Sequence, residues 1–147
     1  MLICSACSTD NWTPKYVVAS DKAYVKFGDV PQGKIGYTYF HFDESDVLIQ
    51  KGLSNQQLKV LITHELFHVA GYIGHIQDDK NCYFYHSPKI SLSSFCDKDI
   101  KLLKSIKRDK PIIIRSIPEL SEHTIYAINL LNNAANREIF QWGGIKQ

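Results

Sequence analysis

The stretch SNQQLKVLITHELFHVAG, residues 54–71, carries the strongest structural signal in the chain and predicts a helix. Ser54 and Gln57 have the spacing of a capping box, in which two side chains satisfy the first backbone N–H groups of a helix. The helical pattern runs on to Gly71, a residue type that ends helices readily. Its apolar positions have the spacing of an amphipathic helix, which the sequence therefore predicts here: Leu58, Leu61, Ile62, Leu66 and Val69.

The same helix carries two histidines four residues apart, with a glutamate beside the first. His64 and His68 lie one turn apart on one face, so both imidazoles can reach a single ion. Catalytic zinc takes three protein ligands and keeps one position for water, whose proton Glu65 is placed to accept. A chance match and a pair of core histidines are the competing interpretations. The capped helix, and a third histidine at position 75 just beyond its end, favour a zinc site.

The run HELFHVAGYIGH, residues 64–75, resembles the metzincin signature H-E-x-x-H-x-x-G-x-x-H of zinc peptidases, in particular the small matrixin-like enzymes. Residues 79–85 resemble the segment that leads into the methionine turn of that family, and residues 92–103 resemble its C-terminal helix. Together these likenesses span residues 46–107. The resemblance implies a zinc metalloendopeptidase with Zn²⁺ as cofactor, Glu65 as general base and three histidine ligands: His64, His68 and His75.

The third ligand departs from the family spacing. His75 falls one residue late, and Gly74 occupies the usual ligand position. A flexible glycine can absorb this insertion. The alternatives are an oxygen ligand from Asp78 or Asp79, or no third ligand.

The turn methionine is replaced as well. Phe84 stands at its position, so the hydrophobic base under the metal is expected to be aromatic. Tyr85 follows directly, and both a role at the transition state and a packing role stay open for it. The remaining histidines are read as surface or packing residues: His41, His86 and His123.

A strand is predicted over residues 34–42, where apolar and small or polar side chains alternate. The turn formers of residues 28–33 predict a hairpin that joins it to one or two strands over residues 16–27. In the metzincin family the edge strand above the site holds extended substrate by backbone pairing. The resemblance therefore implies a substrate-binding edge that comprises Ile35, Gly36, Tyr37, Thr38 and Tyr39.

The rest of the chain predicts an acidic turn at residues 43–46, a short strand at 47–49 and a helix over 95–107 capped by Ser93 or Ser94. A buried strand at 111–117 and a helix from Ser121 to about Asn136 follow. We expect an α+β fold in which a small, twisted, mostly parallel or mixed sheet packs against the active-site helix and C-terminal helices. In the metzincins a strand and a long helix precede the rest of the sheet. Here that pattern comes last, which indicates a circular permutation or, alternatively, a C-terminal extension.

Composition sets further limits. The 147 residues are 44% apolar and 12% aromatic, which suits a single domain over residues 1–147. Seventeen basic and fifteen acidic residues are scattered, so nothing argues for nucleic acid as a partner. No apolar run approaches the roughly eighteen residues of a membrane span. We expect a monomer that acts on a peptide or protein substrate.

Four cysteines, Cys4, Cys7, Cys82 and Cys96, admit three disulfide connectivities or a four-thiolate metal site. A bridge between Cys82 and Cys96 would require an oxidising compartment. Residues 1–10 are either a signal-peptide remnant or a short, flexible apolar start, and we expect a secreted or cell-envelope protein. Two other functions compete with the peptidase: a catalytically degenerate, zinc-stabilised binding module, and a structural domain with a chance motif.

Overall fold

A computed structural model describes residues 13–146 as an α+β fold with three α-helices and a mixed five-stranded sheet. A second sheet consists of two very short strands. The elements follow in chain order: β1 (Lys15–Tyr16), β2 (Lys22–Phe27), β3 (Gly36–His41), β4 (Glu44–Ile49), α1 (Asn55–Val69), β5 (Tyr72–Ile73), α2 (Asp97–Lys104), β6 (Ile112–Ser116), a 3-10 turn (Pro118–Leu120), α3 (Ser121–Ala135) and β7 (Phe140–Ile145).

The large sheet has the strand order β3-β4-β2-β6-β7. β2 runs parallel to both β4 and β6, and β6 runs parallel to β7. Only β3 is antiparallel to its neighbour. A parallel pair needs a crossover connection, which α3 provides between β6 and β7. The expected mostly parallel, mixed sheet is therefore present, and β3 and β7 form its two edges.

The predicted hairpin between the strands at residues 16–27 and 34–42 was wrong. β3 pairs with β4 and not with β2, and the turn between them is Phe42-Asp43, where Phe42 has a φ of 57°. Most of the residues expected to form an acidic turn therefore belong to β4. The turn formers at 28–33 instead carry the chain past β4 from β2 to β3. Turn residues mark where a chain changes direction, but they do not show that the strands on either side of the turn pair with each other.

Two other differences from the prediction concern α2 and β7, whereas the end of α3 agrees with it. α2 is shorter than expected, and its N-cap is Cys96 instead of Ser93 or Ser94. The strand at residues 140–145 was not predicted, because its two glycines, Gly143 and Gly144, weaken the strand pattern and accompany a register shift against β6. The last helix ends near the predicted residue, with Asn136 in the left-handed conformation that caps a helix.

Helix α1 is buried along most of its length because it packs against β3, β4 and α3. The capping box is present: the Gln57 N–H donates to Ser54 Oγ at 3.1 Å, and the Ser54 N–H donates to Gln57 Oε1 at 2.9 Å. At its other end, Gly71 has a φ of 115°. A Cβ atom there would lie 2.9 Å from the Ala19 nitrogen, so glycine is needed both for the turn and for the close approach of residues 16–19.

A disulfide joins Cys82 and Cys96. Their sulfurs are therefore not available as thiolates for the four-cysteine metal site that the sequence allowed. Cys4, Cys7 and the predicted signal remnant or flexible start at residues 1–10 lie outside the described residues. Within residues 13–146, no helix is long and apolar enough to cross a membrane.

Candidate metal centre

Three histidines meet at the C-terminal half of α1. The ligand nitrogens of His64, His68 and His75 all lie within 4.8 Å of one another, and the three side chains are buried. α1 supplies the first two, and the third follows β5. Gly74 adopts a positive φ of 76°, which lets the chain turn His75 towards the helix despite the extra residue.

The two aspartates considered as alternative ligands are occupied elsewhere. Asp78 forms an ion pair with Lys98 at the surface, and the Asp79 carboxylate accepts the Asn81 N–H at 3.0 Å. Asp79 also lies near the two sulfurs of the disulfide, but those sulfurs are bonded to each other and do not complete a metal site.

Backbone carbonyls orient two of the imidazoles. His64 Nδ1 lies 2.7 Å from the Tyr83 carbonyl oxygen, and His68 Nδ1 lies 2.8 Å from the Tyr72 carbonyl oxygen. A carbonyl oxygen can only accept, so Nδ1 carries the proton in both rings and Nε2 keeps its lone pair. Metal-binding histidines are commonly held in this way.

Burial keeps the three rings neutral. It lowers the pKa of His64 to about 4 and the pKa values of His68 and His75 well below the ordinary value. Neutral imidazole is the form that binds metal. His75 Nδ1 is moreover buried without a hydrogen-bond partner among the described residues. An unpaired buried nitrogen is costly without a ligand, so these donors fit a metal ion with nitrogen preference, such as Zn²⁺.

Phe84 forms the floor of this cluster. Its ring centroid lies 5.4 Å from that of His64, 4.8 Å from that of His68 and 5.4 Å from that of His75, and the side chain is fully buried. Phe84 therefore lies against all three histidines, at the position where the sequence predicted an aromatic base. Tyr85 is half-buried, and its ring packs on His86 at a centroid distance of 4.2 Å.

A buried carboxylate that the sequence analysis did not single out holds the turn that carries Phe84. Asp99 accepts the backbone N–H groups of Tyr83 at 2.7 Å, Phe84 at 3.1 Å and Cys96 at 3.2 Å. Its side chain is fully buried, and this burial raises its pKa. The signal in the sequence was its place three residues after Cys96, the N3 position of a capping box at the start of α2. Asp99 therefore supports His64 indirectly, through the Tyr83 carbonyl.

Glu65 extends from α1 towards β3. Its Oε1 accepts the Thr38 hydroxyl at 2.6 Å, and its Oε2 lies 3.9 Å from His64 Nε2. Both Glu65 and Thr38 are buried. The carboxylate therefore lies beside the nitrogens of the three histidines without being one of their number. A base that takes a proton from a metal-bound water needs this placement.

A cavity of about 330 Å³ opens onto these groups. Of the predicted substrate-edge residues, Ile35 and Gly36 line it, and Thr38 contacts Glu65. Tyr37 and Tyr39 alternate with Thr38, so they face the opposite side of the sheet, and their rings pack on each other with centroids 4.5 Å apart. The remaining walls come from the residues before β3, from α1 and from the segment after the turn: Gly33, Lys34, Gln57, Val60, Leu61, His86, Ser87, Pro88 and Ile90.

The other histidines divide into two groups. His41 pairs with Asp46 at 3.3 Å, and His123 Nε2 lies 3.1 Å from an oxygen of Asn55, so both lie outside the centre. His86, also read as a surface or packing residue, packs on Tyr85 and lines the cavity. Comparison with known proteins adds no identity to this geometry: no protein-family model, no curated protein and no solved structure matches the chain.

Proposed function

We propose that the chain is a zinc-dependent metalloendopeptidase, with Zn²⁺ held by His64, His68 and His75 and with Glu65 as general base. One observation carries the proposal: three neutral, buried imidazoles converge beside a buried carboxylate at the end of an open cavity. A purely structural zinc site has four protein ligands, whereas three ligands beside a cavity suit catalysis. Zn²⁺ bound there supplies a Lewis acid that polarises a carbonyl and lowers the pKa of a coordinated water to about 7.

The chain's own groups supply the remaining chemistry. Glu65 accepts a proton from the attacking water and returns it to the leaving nitrogen. β3 is an edge strand, so its open side can pair with the backbone of an extended peptide. The cavity walls near Ile35, Val60 and Leu61 are apolar and would receive an apolar substrate side chain next to the cleaved bond.

The fold is proposed to be metzincin-like and circularly permuted. β6 lies inside the sheet next to β2, its residues Ile112 and Ile114 are fully buried, and α3 packs on α1. The last segment of the chain therefore completes the core that supports the site, which favours permutation over a simple C-terminal extension. The Cys82–Cys96 disulfide supports a secreted or cell-envelope location, because such bonds persist in oxidising compartments.

Zinc analysis of the purified protein tests the proposal, with wild type compared with His75→Ala. We expect about one zinc per chain in wild type and a sharp loss in the variant, since a ligand has been removed. His123→Ala is the matched control, because His123 lies outside the centre, and it keeps the metal. Hydrolysis of an unfolded protein such as casein is then measured on the zinc-loaded chain. Wild type that binds no zinc after reconstitution contradicts the proposal.

The zinc-stabilised binding module remains the second candidate. The specific observation in its favour is the pair of departures at the centre, the late His75 and the aromatic floor of Phe84. Stoichiometric zinc without cleavage of any unfolded protein would support this module over the peptidase.

A further inference from the structure

Thr38 is a polar residue of β3 that contacts Glu65, next to the three histidines. It pairs in register with Val47 of β4, which is fully buried, so the Thr38 side chain faces the side of the sheet covered by α1. Thr38 is itself fully buried. A hydroxyl in such a place needs a partner, and this hydroxyl donates to Glu65 Oε1 at 2.6 Å.

This hydrogen bond joins two different elements, because α1 carries Glu65 and β3 carries Thr38. A hydrogen bond to a carboxylate in a buried site is short and strong. With Oε1 turned to Thr38, Oε2 lies on the side of the histidines, 3.9 Å from His64 Nε2. The bond therefore favours one orientation of a side chain that otherwise has several rotamers.

We propose that Thr38 is a positioning residue for Glu65, whose carboxylate it holds with Oε2 towards the histidine nitrogens. The inference rests on the proposed peptidase function and adds to it the residue that orients the base. Thr38 also lies in the strand whose open edge is proposed to receive the substrate. A peptide that pairs with β3 therefore binds to the same strand that orients Glu65.

Two substitutions separate the hydroxyl from the shape of the side chain. Thr38→Val removes the donor and keeps a β-branched residue in the strand, whereas Thr38→Ser keeps the donor. Thr124→Val is the matched control, because Thr124 is also fully buried and its hydroxyl bonds to the Leu120 carbonyl at 2.8 Å, outside the cavity lining. For each zinc-loaded protein, kcat and KM are measured on one fluorogenic peptide, together with zinc content.

Thr38→Val is expected to lower kcat about 10-fold to 100-fold, the effect of a misplaced catalytic group, with KM and zinc content unchanged. Thr38→Ser restores most of kcat, and Thr124→Val behaves like wild type. An unchanged kcat in Thr38→Val overturns the inference. A loss of kcat that is accompanied by an equal loss of zinc also overturns it, because it would indicate a structural role.

A second readout needs no zinc. In the metal-free protein, Thr38→Val, Glu65→Leu and the double variant form a double-mutant cycle on the urea midpoint. Each single change removes the same hydrogen bond, so the midpoint shift of the double variant is smaller than the sum of the single shifts. If the midpoint shifts of the single variants add up to that of the double variant while the zinc-loaded wild type is active, the Thr38 inference is overturned and the proposed function is not. An inactive, zinc-loaded wild type overturns the proposed function, and with it the role of Thr38 in catalysis.

Discussion

In the proposed mechanism, Glu65 acts as the base and is not a metal ligand, whereas the histidines beside it hold the metal. In the Glu65→Gln variant, the amide oxygen still accepts from Thr38 and the shape of the side chain is kept. The amide cannot take a proton, however, so we expect kcat to fall by at least about 100-fold while zinc content stays at the wild-type level. Peptide hydrolysis and zinc analysis on the same sample measure both. Activity close to wild type would remove Glu65 from its role as base.

Asp99 is the residue on which the floor of the centre depends. Asp99→Ala removes the acceptor of three backbone N–H groups, so we expect the free energy of unfolding to fall by about 3 kcal/mol or more. Zinc affinity falls too, because the Tyr83 carbonyl no longer orients His64. The control is Asp97→Ala, an exposed acid in the same first turn, which changes stability by less than about 1 kcal/mol. Equal urea midpoints for the two variants would contradict this account.

At this scale, local spacing explains which site residues could be predicted. His64, Glu65 and His68 lie on one helix, and His75 follows His68 after only seven positions, so the sequence alone predicts that they lie near each other. Asp99 and the Thr38–Glu65 contact depend on pairings across 16 and 27 positions respectively. No spacing rule covers such distances. That His86 lines the cavity could not be predicted either, because nothing local shows that the segment after Phe84 borders it.

At the scale of elements, the end of α1 can be tested by mutation, because α1 carries His64 and His68, two of the proposed ligands. Gly71→Ala forces a side chain into a positive φ and places a Cβ atom 2.8 Å from the Tyr16 ring. Gly52→Ala has a similar φ of 88° but open space around it. We expect Gly52→Ala to cost about 1 kcal/mol of stability from the backbone alone, and Gly71→Ala to cost about 2 kcal/mol more from the overlap. Urea unfolding measures the stability of both variants. Equal losses of stability would show that residues 16–19 move away from the new side chain at little cost in free energy.

Helices and strands with a strong local sequence pattern were predicted well, whereas strands whose position depends on pairing with other strands were not. α1, β6 and α3 lie close to their predicted positions because their apolar periodicity and caps are local. The hairpin of β3 and β4 turns at Phe42-Asp43, which lacks the Asn-Gly or Asp-Gly signal of a two-residue turn, whereas β7 is placed by its non-local parallel pairing with β6. A parallel sheet is built from non-local pairs, so turn residues such as those at 28–33 cannot identify the partner.

At the scale of the whole molecule, the cluster of buried histidines makes stability depend on pH when the metal has been removed. Burial lowers the pKa of His64 to about 4 and the pKa values of His68 and His75 well below the ordinary value, whereas histidines in the unfolded chain titrate near 6.5. Below pH 6.5 the unfolded state therefore binds more protons than the folded state. The free energy of unfolding must then decrease as the pH falls from 6.5 towards 4.

Urea unfolding of the chelator-treated protein at pH 7 and pH 5 measures this dependence. We expect a loss of about 1 kcal/mol or more at pH 5, since each pKa unit of difference between the two states corresponds to about 1.4 kcal/mol at most. His75→Gln removes one of the three titrating rings, so its loss between the same two pH values is smaller than that of wild type. Saturating zinc raises the stability of the folded state at both pH values but does not remove the loss, because metal-bound nitrogens carry no protons in the folded state whereas the unfolded histidines still take them up. Equal stability of the metal-free protein at both pH values would mean that the three imidazoles accept protons in the folded state, and that the centre is more open to water than the burial of its side chains indicates.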